Sequence, residues 1–184
     1  MNSMKVQNIV EWFWLIVKYT LAGLSIALII RGFFLIPVPV EGISMQNTLT
    51  QGDFVLMEKF SDIERFDVIV FQMADGTTYI KRVIGMPGDT VSYRNDQLYI
   101  NEEVVEETFL EENLAHDEER IPFTNDFEFE ELMGVKKLGT GSYFVLGDNR
   151  RMSKDSRSFG AISEENIIGK ARIVYYPLKR AHFV

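Results

Sequence analysis

No cysteine occurs in the 184 residues, which excludes disulfide bridges, thiol nucleophiles and thiolate metal ligands together. Histidine is almost as scarce. Only His116 and His182 are present, one inside an acidic run and the other two residues from the last position, so neither stands where a catalytic base is expected. Cations are missing from one long segment: between Glu102 and Glu131, thirteen acidic residues face Arg120 alone. The net charge of −8 is therefore local, and the rest of the chain is mildly cationic. With no basic stripe and no nucleic-acid motif, nucleic-acid binding is not expected.

Long apolar runs are also rare. The one exception is residues 12–30, nineteen positions with Lys18 as their only charge, which as a helix would reach about 28 Å, close to a hydrocarbon core of ~30 Å. Lys18 is costly at a bilayer centre, so a span slid to 19–36, with Lys18 snorkelling inward and Arg31 outward, is the alternative placement. A cleaved secretory signal or a buried core helix would also use an apolar run. The signal reading fits less well, because Phe33-Phe34-Leu35-Ile36-Pro37 follows in place of a small-residue cleavage site. Lys5 and Lys18 on one flank against Arg31 on the other favour an N-terminus in the cytoplasm.

What remains has the size of one ordinary domain. Residues 1–37 are expected to form the N-terminus and anchor, and residues 38–184 a domain outside the membrane. Pro37 and Pro39 stop the helix and enforce extended backbone, and the apolar period then changes to two. Segments 53–60, 67–71, 78–84, 90–93, 97–100, 142–146 and 171–176 are short, rich in β-branched and aromatic residues, and bounded by turn chemistry such as Asp75-Gly76, Pro87-Gly88 and Asn95-Asp96. The domain is mainly β. Regular alternation fades over about 102–137, which reads as a small acidic insertion, solvated and loosely packed, or alternatively as a lid.

Three stretches carry candidate chemistry. Glu41-Gly42-Ile43-Ser44-Met45-Gln46-Asn47-Thr48-Leu49 places a serine shortly after the apolar segment. A serine hydroxyl needs a positioned base, and without a usable histidine that base must be a lysine or a carboxylate. Lys81, on the 78–84 strand, shares its face with Tyr79 and Val83, a setting that could lower its pKa by burial. The competing reading is an exposed lysine guarding a strand edge. Gly147-Asp148-Asn149-Arg150-Arg151-Met152-Ser153-Lys154-Asp155-Ser156-Arg157 is too charged to pack unless its members pair, Asp148 and Asp155 with guanidinium groups such as Arg82 or Arg157. An exposed polar loop would also fit that composition, as would an oxygen-ligand cation site, though the spacing fails the EF-hand pattern.

Ser44-Met45 followed by Thr48-Leu49, then Tyr79-Ile80-Lys81-Arg82-Val83-Ile84-Gly85-Met86-Pro87-Gly88-Asp89, then the Gly147 to Arg157 loop, in this order behind an anchor, resemble bacterial type I signal peptidases of the short Gram-positive kind. The resemblance spans nearly the whole chain. It implies a membrane-associated, largely antiparallel β-structure and a Ser–Lys dyad that removes signal peptides from secreted preproteins at the outer face of the cytoplasmic membrane. It implies Ser44 as nucleophile and Lys81 as general base, with Ser153 bonding the Lys81 amine and with Arg82, Asp148, Asp155 and Arg157 framing the site.

On the same resemblance the Ser44 N–H and a group near Gly42 would bind the oxyanion. Val40 and Tyr79 would offer strand edges to an extended substrate, and Met45, Leu49 and Ile80 would form pockets for small side chains. Phe33, Phe34, Leu35 and Ile36 would form an apolar rim on the bilayer. No metal or cofactor is implied; the partners are signal peptides, the lipid bilayer and the nearby secretion machinery. Asn47 stands where the family commonly has proline, Gly42 lacks a hydroxyl that some members carry, and Arg151-Met152 replaces versions with an acidic residue. A narrow-specificity Ser–Lys membrane protease, or a silent scaffold with the same fold, are the alternative functions.

Overall fold

The computed structural model describes residues 2–33, 35–115 and 121–184. It divides into a unit ending at Ile36 and a second from Pro37 to Val184. The first is helix α1, Asn2–Phe33. Along Val10–Leu28 its apolar residues lie all round the axis with no polar face, as in a helix surrounded by apolar medium. Val10–Leu28 is long and apolar enough to cross a membrane and is not buried against protein. A helix continuing to residue 36, as the alternative span over 19–36 would have it, is not formed: α1 ends at Phe33 and strand β1, Leu35–Pro39, follows. The expected rim at 33–36 includes Phe34, which lies outside the described residues, as do His116 and Arg120.

Beyond β1 the strands are β2 (Phe54–Glu58), β3 (Val68–Gln72), β4 (Thr78–Gly85), β5 (Val91–Arg94), β6 (Gln97–Ile100), β7 (Glu103–Val105), β8 (Phe127–Glu128), β9 (Ser142–Leu146), β10 (Ile162–Ser163), β11 (Ile167–Tyr176) and β12 (His182–Phe183). They build two antiparallel sheets. The larger runs β1-β2-β11-β3-β4-β9-β10, with β12 added beside β11, and the smaller runs β7-β6-β5-β8. The turns follow residue chemistry. Gly76 takes φ +84°, Asn95 and Asp96 take +52° and +60°, and Asn101 and Glu102 take +52° and +67°. Two successive positive φ values are the signature of the tight hairpin turns that match strand twist. Short helices α2 (Glu111–Ala115), α3 (Phe129–Met133) and α4 (Ser156–Phe159) complete the unit.

The acidic stretch differs from expectation. Regular structure does not stop at Glu102: the Asn101-Glu102 turn leads directly into β7, which pairs with β6. Its aromatic and aliphatic side chains are not loosely scattered either, since Leu110, Phe123 and Phe129 are buried. Phe129 belongs to a core cluster with Tyr93, Leu98, Phe144 and Leu146, against which Phe109 and Phe127 pack. Among the described residues most of its carboxylates stay at the surface while Leu110, Phe123 and Phe129 turn inward, so the charge count reports only its outer side.

Candidate active site

Strand β4 holds Lys81 between two neighbours. Lys81 pairs with Ile69 of β3, but β9 joins the other edge of β4 only from Arg82 onward, leaving residues 78–81 with an edge that no strand covers among the described residues. Along that edge runs a groove lined by Val40, Ser44, Met45, Tyr79, Ile80 and Lys81, with Met152 and Lys154 at its other side. Ser44 lies in a turn, half-buried. Its Oγ is 2.7 Å from the Lys81 Nζ, and the amine also donates to the Ile80 carbonyl at 2.9 Å.

Lys81 is only 3% exposed and, among the described residues, has no carboxylate within ion-pair range; Asp148 and Asp155 are paired with Arg82 and Arg157. Burial disfavours its charged form and lowers its pKa from 10.5 to about 8, while the more distant charges of Asp155 and Asp148 hold it up. The amine is therefore accessible in its neutral form near physiological pH. The edge-guarding reading fails because an exposed ammonium is what it requires.

The two carboxylates of the polar loop each grip one guanidinium with both oxygens. Arg82 donates from Nε to Asp148 Oδ1 at 2.9 Å and from Nη2 to Oδ2 at 2.6 Å, and its guanidinium lies 4.1 Å from the Phe109 ring centre. Arg157 holds Asp155 through Nε and Nη2, both at 2.8 Å. Asp148, Asp155 and Ser156 are fully buried, so the pairing that packing demands is satisfied. Thr48 joins this frame to the serine turn by donating to Asp148 Oδ2 at 2.6 Å.

The loop reaches Ser44 directly. The Asn149 N–H donates to the Ser44 carbonyl at 3.0 Å and its side chain to the Ile43 carbonyl at 3.2 Å. Gly147 permits this approach, because a Cβ there would collide with the Ser44 carbonyl oxygen and the Ser153 side chain. The Ser44 N–H is free of hydrogen bonds among the described residues. Asn47 occupies the left-handed region at φ +61°. Proline cannot adopt that angle, whereas asparagine tolerates it well.

Three expectations need correction. Ser153 does not bond the amine: its Oγ is buried without a partner, packed beside Gly147. Leu49 does not line the groove, since it is fully buried in the apolar cluster containing Val40, Met45 and Val55. Val40 touches the groove, but its own N–H and carbonyl are turned away, donating to Asp53 at 2.8 Å and accepting from Gly52 at 3.0 Å, so the edge expected near it falls to its neighbours and not to Val40 itself. Gly42, at φ +81°, Met45, Tyr79 and Ile80 do line the groove. His182 is occupied away from Ser44, its ring nitrogens near the carbonyls of Arg180 and Thr48.

Sequence reasoning missed Asn113, Asn149 and Arg150. Arg150 is buried against Glu107, Tyr93 and the Gly147 carbonyl, and burial raises the Glu107 pKa against the pull of Arg150. Asn149 and Arg150 stood inside a stretch already singled out. Asn113 had no signal at all, lying within the acidic run.

The sequence model described as signal peptidase, peptidase S26, matches residues 9–176. The chain belongs to the signal peptidase family. It is thereby a serine peptidase of the S26 kind. Similar curated relatives include signal peptidase I V of Bacillus subtilis, 40% identical over 85% of this chain and 94% of the relative. Signal peptidase I of Bacillus caldolyticus is 37% identical over 100% and 99%. Among solved structures, a signal peptidase I from Enterococcus faecalis V583 is 39% identical with a TM-score of 0.56, covering 60% of this chain and 97% of that one. This signal peptidase joins a mainly antiparallel β fold to an apolar N-terminal helix.

Proposed function

We propose that this signal peptidase is a membrane-anchored Ser–Lys endopeptidase that removes signal peptides from secreted preproteins, with its N-terminus in the cytoplasm and residues 38–184 outside. The observation that carries the reading is the 2.7 Å approach of the Ser44 Oγ to a buried Lys81 amine. The neutral amine takes the Ser44 proton as Oγ attacks the scissile carbonyl. The resulting ammonium then protonates the leaving amine, closing an acyl-enzyme. Lys81, neutral again, draws a proton from water for hydrolysis of that ester and returns it to Ser44.

The unengaged Ser44 N–H is suited to the developing oxyanion, with Gly42 leaving space beside it. An extended substrate pairs along the uncovered edge of β4, and the modest groove beside Met45 and Ile80 suits small side chains near the cut. Arg82, Asp148, Asp155 and Arg157 hold β4 and the polar loop in register. Val10–Leu28 supplies the single span, keeping the site beside the bilayer and the secretion machinery.

The test is cleavage of a preprotein with small residues at the cut by the full chain in detergent. Wild type should release the mature protein, and Ser44→Ala should lower the rate by at least about 10⁴-fold. Undiminished cleavage by Ser44→Ala overturns the mechanism. Cleavage of its own family of precursors only, with most secreted proteins left intact on depletion, would favour narrow specificity.

A further inference from the structure

The acidic stretch reaches the turn behind the nucleophile through the side chain of Asn113. Asn113, on α2, is 9% exposed and its carboxamide makes three hydrogen bonds to two separate segments. Its Oδ1 accepts from Asn47 Nδ2 at 3.0 Å. Its Nδ2 donates to the Gln46 carbonyl at 3.0 Å and to the Asp148 carbonyl at 3.2 Å. Gln46 and Asn47 form the turn immediately after Ser44, and Asp148 anchors the loop whose Asn149 holds the Ser44 carbonyl.

We infer that Asn113 is a positioning residue for Ser44, clamping the turn that carries the nucleophile to the loop that carries its frame; this rests on Ser44 being the nucleophile. The physical need lies in the turn itself. Asn47 sits at φ +61°, an angle that no proline can lock, so the turn lacks covalent stiffening and is held by hydrogen bonds. A carboxamide meets the geometry because it offers an acceptor and two donors in one plane. An aspartate would place charge against two carbonyl oxygens, and an alanine would leave the buried Asp148 carbonyl without this donor and release the exposed Gln46 and Asn47 to solvent. Asn113 does not contact Lys81, so its loss should disturb aim without changing the amine's surroundings.

Asn113→Ala, Asn47→Ala and the double variant should be compared with wild type for preprotein cleavage in detergent, with Ser44→Ala as the inactive reference and Glu111→Ala, on the same helix, as the control. Asn113→Ala should lower kcat by about 10- to 100-fold, the scale of a small misplacement of a reacting group, with KM within about twofold. Its pH profile should keep the acidic limb where the wild type has it. The double variant should be no slower than Asn113→Ala by more than about twofold, because both remove one shared contact.

Wild-type kcat in Asn113→Ala overturns the inference while leaving Ser44 as nucleophile. A limb displaced toward the ordinary lysine range overturns it also, by showing that the site has opened to water. Full activity in Ser44→Ala would instead remove the reading beneath it.

Discussion

Strand β3 separates two buried lysines that the same sheet treats in opposite ways. Ile69 pairs with Lys81 of β4 on one side and with Lys170 of β11 on the other, and the lysines are 3% and 4% exposed. Lys170 meets Asp67 in an ion pair at 2.5 Å and lies 3.3 Å from the Asp62 carbonyl. Lys81 instead meets a hydroxyl and its neighbour's carbonyl, with the Tyr79 ring centre 5.4 Å away and no carboxylate in ion-pair range among the described residues. Burial alone therefore does not make a base. A partnered ammonium is structure, whereas an unpartnered one is pushed toward its neutral form.

Substituting each lysine by methionine should separate the two sides most sharply. Lys81→Met should lose at least about 10⁴-fold in cleavage yet gain about 2 kcal/mol of stability at pH 7, since the folded chain no longer holds a disfavoured charge. Lys170→Met should keep cleavage per folded molecule but lose about 3 kcal/mol, because Asp67 is left without its counter-ion. Denaturant unfolding at pH 7 beside a cleavage assay checks both. Equal stability changes of the same sign would break the comparison.

The pH dependence comes next in size. Because the Lys81 pKa is about 8 when folded and near 10.5 when unfolded, the unfolded chain binds the extra proton between those values. Wild-type stability should therefore climb over that window and show the full penalty below it. Lys81→Met should lack this component of the climb. Activity moves likewise: kcat/KM should rise about tenfold per pH unit below pH 8 and flatten above it. A flat profile from pH 6 to 9 would remove Lys81 as base.

The smallest effect tests the surrounding charges. Asp155 is the larger of the two charges holding the Lys81 pKa up, so Asp155→Asn should move the acidic limb of kcat/KM to lower pH, with part of the stability lost through Arg157. Movement to higher pH would assign Asp155 a different influence on the amine.

Much of this was readable from residues because the informative signals were local. The 142–146 run became β9 unchanged, and 78–84 became β4 with one further residue, since strand alternation and bounding turns are encoded within a few positions. The pairing of Asp148 and Asp155 with arginines followed from the cost of burying charge. What stayed hidden depended on contacts distant in sequence. Asn113 lies 66 positions from Asn47, and one polar residue among many acidic ones carries no mark of what it will touch. The Asn101-Glu102 turn was obscured because Glu102 is an unusual residue at positive φ, and composition drew attention from its geometry. Leu49 was misplaced because an apolar residue near a nucleophile suits a pocket wall and a core equally well.

One bond at the centre of the molecule has no codon of its own. The acceptor that steadies the Lys81 nitrogen is the carbonyl of Ile80, a main-chain atom that every amino acid at that position would supply. Mutation can delete the serine or the lysine, but single-residue substitution leaves this oxygen in place wherever the strand survives. The aim of the amine is thus inherited from the course of the backbone and buffered against side-chain drift. Only chemical replacement of the amide between Ile80 and Lys81 by an ester, whose carbonyl is a weaker acceptor, would weaken it while leaving every side chain as it was.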